Sequence, residues 1–533
     1  MENQQEYDDP FSAIGSGLRG FFRSLPGHGI VMRYIASSYQ KDPIRSLLEL
    51  ILFIFAVRTI LQNRTRSGQS TSNYVQLSES EIDYLVQDFE PEPLCQPLTE
   101  TEKHDLESVP MIVGHTGPHV KVTATWLSGT QPKDVINMAS FNFAGLVSDP
   151  DMSKQAQKIL RDYGVGSCSP PGFYGTSDMH MRLEKELARF VGKEDAIIYS
   201  QGFSTVSGVI PAFSKRGDII VADAGVNFAI QQGLQLSRST VYWYNHNDMD
   251  SLESLLKRVQ EQQDKSDGPL RRRFIVTEGF FESDGTCCNL RKIVELKKRY
   301  RFRLFLDESY SLGALGPTGR GITEAQQVSA DDVEFIIGNM AIAFGSSGGF
   351  CASSSFAVKH QRINGLSFVF SAAMPVMLAT GSMLAMQKLS MHAELMTRLR
   401  ENVNKVRAVL TKIESIYIPS DPDSPLIHIQ VRSKTNALQD HLAPPSPNSV
   451  ENMHDLSIKE QEQLLQQIVE RALNSGVMLT RSRRLPNVMH ASQYLHAGPS
   501  IPLAVSAAFS ATDVASGADI VRGAIVSVLG DRR

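Results

Sequence analysis

The sequence predicts an α/β protein with a mainly parallel sheet, and two observations carry that prediction. From Asn137 onward, short apolar runs alternate with amphipathic stretches of helical period. Several of the runs are near-continuous in β-branched residues, as expected of strands covered by helices on both faces. The strand candidates are Ala196 to Tyr199, Ile219 to Ala222, Val241 to Tyr244, Phe274 to Thr277, Arg303 to Leu306 and Val333 to Ile337. Thr176 or Ser177 caps a helix whose face carries Leu183, Leu187, Phe190 and Val191, and Gly192 ends it. Ligands of such sheets sit outside the carboxyl ends of the strands. Asp307 and a turn expected at Gly338 both fall there.

Five segments are expected along the chain. Residues 1–45 mix glycine, aromatics and basic residues, a pattern open to an interfacial segment or a flexible tail. Residues 46–62 hold the one strongly apolar run near the N-terminus, Ser46 to Leu61, read as a membrane anchor rather than a core helix. A full span wants roughly 20 apolar residues, and Glu49 and Arg58 bracket a shorter apolar core. Residues 63–100 read as a polar linker in which Glu79, Glu81 and Asp83 surround Ile82, Leu85 and Val86 in a short amphipathic helix that docks on the globular part. Residues 101–375 form the large domain and 376–533 a smaller α+β domain. In the latter, a helical region from Met377 to Ile413 leads to a half-exposed strand, Leu426 to Val431. A mobile loop follows around Pro444, Pro445 and Pro447, then a helix from Ile458 to Leu473 and a last strand from Leu503 to Phe509.

Composition narrows the function. The net charge of −4 gives no reason to expect a nucleic-acid partner. The five cysteines are scattered with no C-x-x-C pair, and the thirteen histidines include no H-E-x-x-H, so no metal is expected.

Several motifs occur in a fixed order. They are Asn142-Phe-Ala-Gly145, the glycine-rich stretch Tyr163 to Thr176, Asp307-Glu-Ser-Tyr-Ser-Leu-Gly313, the run Phe335 to Phe350, and Phe370-Ser-Ala-Ala-Met-Pro375. Together they resemble the α-oxoamine synthases, a family of pyridoxal-phosphate acyltransferases. The resemblance implies an aspartate-aminotransferase-like large domain and pyridoxal 5'-phosphate as cofactor. It also implies roles for single residues. Ile342 stands where the family has the lysine that binds the cofactor, and an alkyl chain forms no Schiff base. Asn227 stands for the ring-stacking histidine, Glu282 for the residue near the phenolic oxygen, Tyr310 for the histidine after the Asp-Glu pair, and Pro502 for the arginine that pairs with a substrate carboxylate. Asp307, the partner of the pyridinium nitrogen, is retained, either in that role or as a cap of its own loop. Ser371 stands where a hydroxyl reaches the other subunit's cofactor phosphate, and Asn142, Cys168 and Tyr174 stand near substrate or the subunit boundary.

The resemblance therefore implies a non-catalytic half of a heterodimer that condenses L-serine with palmitoyl-CoA to 3-ketosphinganine. A lysine-bearing catalytic partner would hold the cofactor covalently, with small regulatory membrane subunits as further partners. The expected location is the endoplasmic reticulum membrane, with the globular part in the cytosol. Two alternatives stay open: a regulatory scaffold that contributes nothing to the site, and a self-sufficient acyltransferase, against which Ile342 argues.

Overall fold

The computed structural model describes residues 42–69, 78–95, 97–124, 126–127, 131–265, 271–433, 456–483 and 498–530, with isolated positions between 29 and 40. Most of the expected interfacial segment, and the loop around Pro444, lie outside the described residues. The chain divides into two compact units, Met1–Pro97 and Leu98–Arg533.

In the first unit the apolar run is helical, and the helix Pro43–Gln69 extends beyond it at both ends. Leu50, Ile51, Phe53, Ile54 and Phe55 are all more than half exposed. Arg45 pairs with Glu49 one turn on, at 3.0 Å. These charges, and Arg58, interrupt the apolar surface. Among the described residues no helix is long and apolar enough to cross a membrane, so the expected anchor has no spanning helix behind it. The helix Glu79–Asp88 forms, with Ile82, Leu85 and Val86 exposed. Ser78 and Glu81 close a capping box at its start, each accepting the other's backbone N–H.

The second unit begins with β1 (Met111–Val113), β2 (His119–Thr123) and β3 (Lys133–Asn137), an antiparallel set. The main sheet is built from β4 (Asp195–Tyr199), β5 (Ile219–Asp223), β6 (Thr240–Tyr244), β7 (Arg273–Glu278), β8 (Arg303–Asp307), β9 (Phe335–Asn339) and β10 (Gly349–Ser353). Its strand order is β4-β10-β9-β8-β7-β5-β6. The contacts from β9 through β8, β7 and β5 to β6 are parallel. Only β10 runs against its neighbours β4 and β9. The sheet is thus mainly parallel, as expected, with one inserted antiparallel strand that the sequence reading does not contain. In β11 (Ile416–Tyr417), β12 (Leu426–Val431), β13 (Val477–Met478) and β14 (Ile501–Ala504) the chain completes two smaller sheets. β12 lies between β11 and β14, and β13 returns to pair with β3.

Local chemistry explains most boundaries. Ser177 and His180 form a capping box at the start of helix Asp178–Val191, and Gly192 ends it in a left-handed conformation with φ +74°. The helical region after Pro375 is two helices, Val376–Met391 and Glu394–Leu410, broken at His392 and Ala393.

Three expectations need correction. Gly338 is not a turn. It sits inside β9 opposite Phe350, and a Cβ there would lie 2.5 Å from that ring, so the glycine makes room for an aromatic neighbour. β12 is not half-exposed. All six of its residues are buried, His428 and Gln430 included, and His428 Nδ1 lies 2.9 Å from Ser500 Oγ. The last strand ends at Ala504 rather than Phe509.

Candidate active site at the carboxyl edge of the sheet

β4 and β9 both run opposite to β10, so β4 is parallel to the rest of the sheet. The carboxyl ends therefore share one edge, with neighbouring strands about 4.8 Å apart. Along it stand Ser200 after β4, Asn339 ending β9, Asp307 ending β8, Glu278 ending β7 and Asp223 ending β5.

Asp307 is buried, and both of its oxygens are engaged. Oδ2 accepts from the Asn227 amide at 3.0 Å and Oδ1 from the Ser309 N–H at 2.9 Å. Asn227 is the N-cap of helix Phe228–Ser237, its Oδ1 accepting from Ile230 N at 3.1 Å. Its own N–H donates to Glu278 Oε1 at 2.6 Å. Burial drives the Asp307 carboxyl above the usual range, against hydrogen bonds from Ser309 and Asn227. Glu278 is raised further, first by burial and then by the Asp307 charge. Glu282 is likewise raised by burial, opposed by its hydrogen bond with Tyr310. Tyr310 meets Phe141 edge to face at 5.6 Å, which brings the Asn142 loop beside the carboxylate cluster. Asn142 holds its own turn, with Oδ1 accepting from Val147 N, and its carbonyl accepts from Ser506 Oγ at 2.6 Å.

Behind this cluster lies a group that sequence reading missed. His246 is buried between two carboxylates, with Nδ1 2.6 Å from Asp223 Oδ1 and Nε2 3.1 Å from Asp284 Oδ2. Burial opposes its charge, but Asp223 and then Asp284 outweigh that and lift its pKa to about 10. Asp223 also accepts the N–H groups of Gly225 and Asn247. One imidazolium thereby ties the loop leading to Asn227 to the loop carrying Glu282. The available signals were a histidine two residues past a strand and an Asp-Gly pair past another.

The segments that carry Ser371, Tyr174 and Cys168 meet at the β4 end through Ser169 and Ser200. Ser371 Oγ is 3.0 Å from Ser200 Oγ and lines a cavity of about 20 Å³ with Thr176, Tyr199 and Ser200. Ala373 N donates to Ser169 O at 3.0 Å, and Tyr174 N donates to Ser169 Oγ at 3.2 Å. Tyr174 is 91 % exposed on a π-turn, Pro171–Gly175. Gly175 closes that turn so tightly that a Cβ would lie 2.1 Å from Ser169 O. Cys168 is exposed, with φ +51°. His180 secures the arrangement from below. Its Nδ1 accepts from Ser177 N at 3.0 Å, which leaves the proton on Nε2, 2.8 Å from Met374 O.

Ile342 sits in the one-turn helix Met340–Phe344 between β9 and β10, partly buried against the core. Pro502 lies in β14 opposite His428. His428 is buried and neutral, pushed down to about 4 by burial. The edge thus brings together Asp307, Asn227, Glu282, Tyr310 and the Asn142 loop in one cluster, and Ser371, Tyr174 and Cys168 in another.

The model of the aminotransferase class I and II family matches residues 133–483. The chain is a class I and II aminotransferase family member. It is 33% identical over 521 residues to serine palmitoyltransferase 1 of Saccharomyces cerevisiae, covering 94% of this chain and 92% of that one. It is 35% identical to serine palmitoyltransferase 1 of Dictyostelium discoideum, covering 84% of this chain and 87% of that one. Among solved structures, one of serine palmitoyltransferase with a pyridoxal-phosphate internal aldimine superposes with a TM-score of 0.67 at 19% identity, covering 85% of this chain and all of the other. That likeness establishes the fold.

Class I and II aminotransferase folds imply pyridoxal phosphate, and the residues at this edge do not fit it. The turn after β9 carries Ile342, which offers no amine. The carboxylate that would receive a ring N–H has both oxygens occupied, and further acids surround it. Among His, Cys, Asp and Glu of the described residues no cluster suits a metal ion.

Proposed function

We propose that the chain is the non-catalytic subunit of a serine palmitoyltransferase that condenses L-serine with palmitoyl-CoA to 3-ketosphinganine. The observation that carries this reading is the likeness, along 94% of the chain, to a protein named serine palmitoyltransferase 1. The carboxyl edge supports the non-catalytic half of it, because Ile342, Glu282, Tyr310 and Pro502 supply neither an amine nor a cation to a substrate. Pyridoxal phosphate, when held by a lysine-bearing partner, supplies the electron sink for decarboxylation at the serine α-carbon. This chain contributes Ser371 toward the partner's phosphate, and the loops of Cys168 and Tyr174 as a wall. Under the same reading the exposed apolar helix Pro43–Gln69 anchors the chain at the endoplasmic reticulum membrane. The globular unit then faces the cytosol, with small regulatory membrane subunits as further partners.

The test is reduction with borohydride of the complex purified from membranes. A pyridoxyl group is expected on a lysine of the co-purified partner and on no peptide of this chain. A pyridoxyl-lysine peptide from this chain would refute the assignment. A second expected result concerns Ile342→Lys prepared without the partner. Asn227, Glu282, Tyr310 and Pro502 still differ from the active pattern, and groups that act as a unit are far from additive. No serine-dependent ketosphinganine formation is expected, and any measurable turnover contradicts this.

A further inference from the structure

We propose that the Asn227 carboxamide is a built-in plug, occupying the acceptor that this fold would offer to a cofactor's ring nitrogen, so that the carboxyl end of β8 excludes pyridoxal phosphate even without any covalent bond. The claim concerns this chain alone and holds with or without the proposed partner.

Three bonds make the plug rigid. The amide N–H₂ of Asn227 donates to Asp307 Oδ2 at 3.0 Å, its Oδ1 receives Ile230 N at 3.1 Å, and its backbone N–H donates to Glu278 Oε1 at 2.6 Å. One residue is thereby tied to the end of β8, the first turn of a helix and the end of β7. Swinging the side chain aside would strip that helix of its cap and leave Asp307 Oδ2 without its donor. The second oxygen of Asp307 is no substitute, because Ser309 N holds it at 2.9 Å. The electrostatics agree. Glu278 and Asp307 are both buried, and burial pushes both carboxyls upward, which disfavours the anion that a pyridinium needs. In the same cluster Glu282 and Tyr310 bond each other and present no cation to a phenolate.

The absence of a lysine and the presence of a plug are separable. The probe is 4-deoxypyridoxine 5'-phosphate, which has the ring and the phosphate but no aldehyde, so that no lysine matters to its binding. Titrated into the full-length chain in detergent, it is expected to show no saturable binding. Saturable binding that disappears in Asp307→Ala would overturn the proposal; binding indifferent to Asp307→Ala lies elsewhere and supports it. A thermal cycle gives an independent reading. Asn227→Ser keeps a capping oxygen but loses the donor to Asp307. The double variant Asn227→Ser, Asp307→Ala is expected to melt within about 2 °C of Asp307→Ala alone. Fully additive losses would mean that the two side chains do not act as one unit, and would also overturn it. If the Asp307 variants do not fold, the wild-type titration decides: saturable analogue binding counts against the plug and its absence for it. Neither measurement involves turnover or the partner, so each can fail while the proposed function stands.

Discussion

Replacing His246 by alanine lowers the stability of the globular unit by about 3–5 kcal/mol at neutral pH, the usual loss when one member of a buried charge set is removed. The imidazolium sits between Asp223, whose side chain is 1 % exposed, and Asp284, and among the described residues no other cation bonds either carboxylate. The pH dependence follows from the direction of the shift. The folded pKa is raised to about 10, above the unfolded value of about 6.5. The stabilisation is therefore complete below about pH 6.5, declines across the interval above it, and is gone once pH passes about 10. Urea midpoints of wild type and His246→Ala should differ most at pH 6 to 7 and converge toward pH 10.5. A gap that stays constant across that range would mean that His246 is not charged in the folded chain. His246→Gln, which keeps a donor without the charge, should fall between the two.

The second large effect is expected in the assembled complex. If Ser371 donates to the partner's phosphate, the bond is charge-assisted and worth roughly 1.5–3 kcal/mol. Ser371→Ala should then weaken cofactor retention roughly tenfold or more, while the subunits stay together. Among the described residues the hydroxyl's hydrogen-bond partner is Ser200 Oγ at 3.0 Å, and loss of that contact alone does not reach the cofactor. Dialysis of the complex against cofactor-free buffer, with subunit recovery and melting temperature followed in parallel, separates the two. Unchanged retention would favour a regulatory scaffold that adds nothing to the site.

Much of this architecture could be read from residue order, and the misses share a cause. Strands such as β5 and β7 announce themselves as apolar runs because helices cover both faces, and the helix from Ser177 to Gly192 carries its own caps. β10 does not, since it begins Gly349-Phe350-Cys351 within a glycine-rich run, and its identity as a strand comes from partners far away in sequence. β12 shows alternation, but His428 and Gln430 are buried all the same, with Ser500 Oγ 2.9 Å from the imidazole. Periodicity reports polarity and not burial. In the site, Asn227 and Asp307 were identified individually, yet their hydrogen bond joins positions eighty residues apart. His246 escaped because its role exists only between two loops that folding brings together.

The turn that carries Ile342 has one further consequence. β9 and β10 form a hairpin, with Asn339 opposite Gly349. Its closure uses main-chain groups, Met340 N to Gly348 O at 2.9 Å and Ser346 N to Met340 O at 3.3 Å, with Asn339 Oδ1 capping Ala341 N at 2.9 Å. The residue 342 side chain takes no part in these bonds. It rests partly against the core, a task that any aliphatic chain, or the stem of a longer one, can fulfil. Selection for a folded chain therefore does not guard the identity of residue 342; only selection for chemistry does.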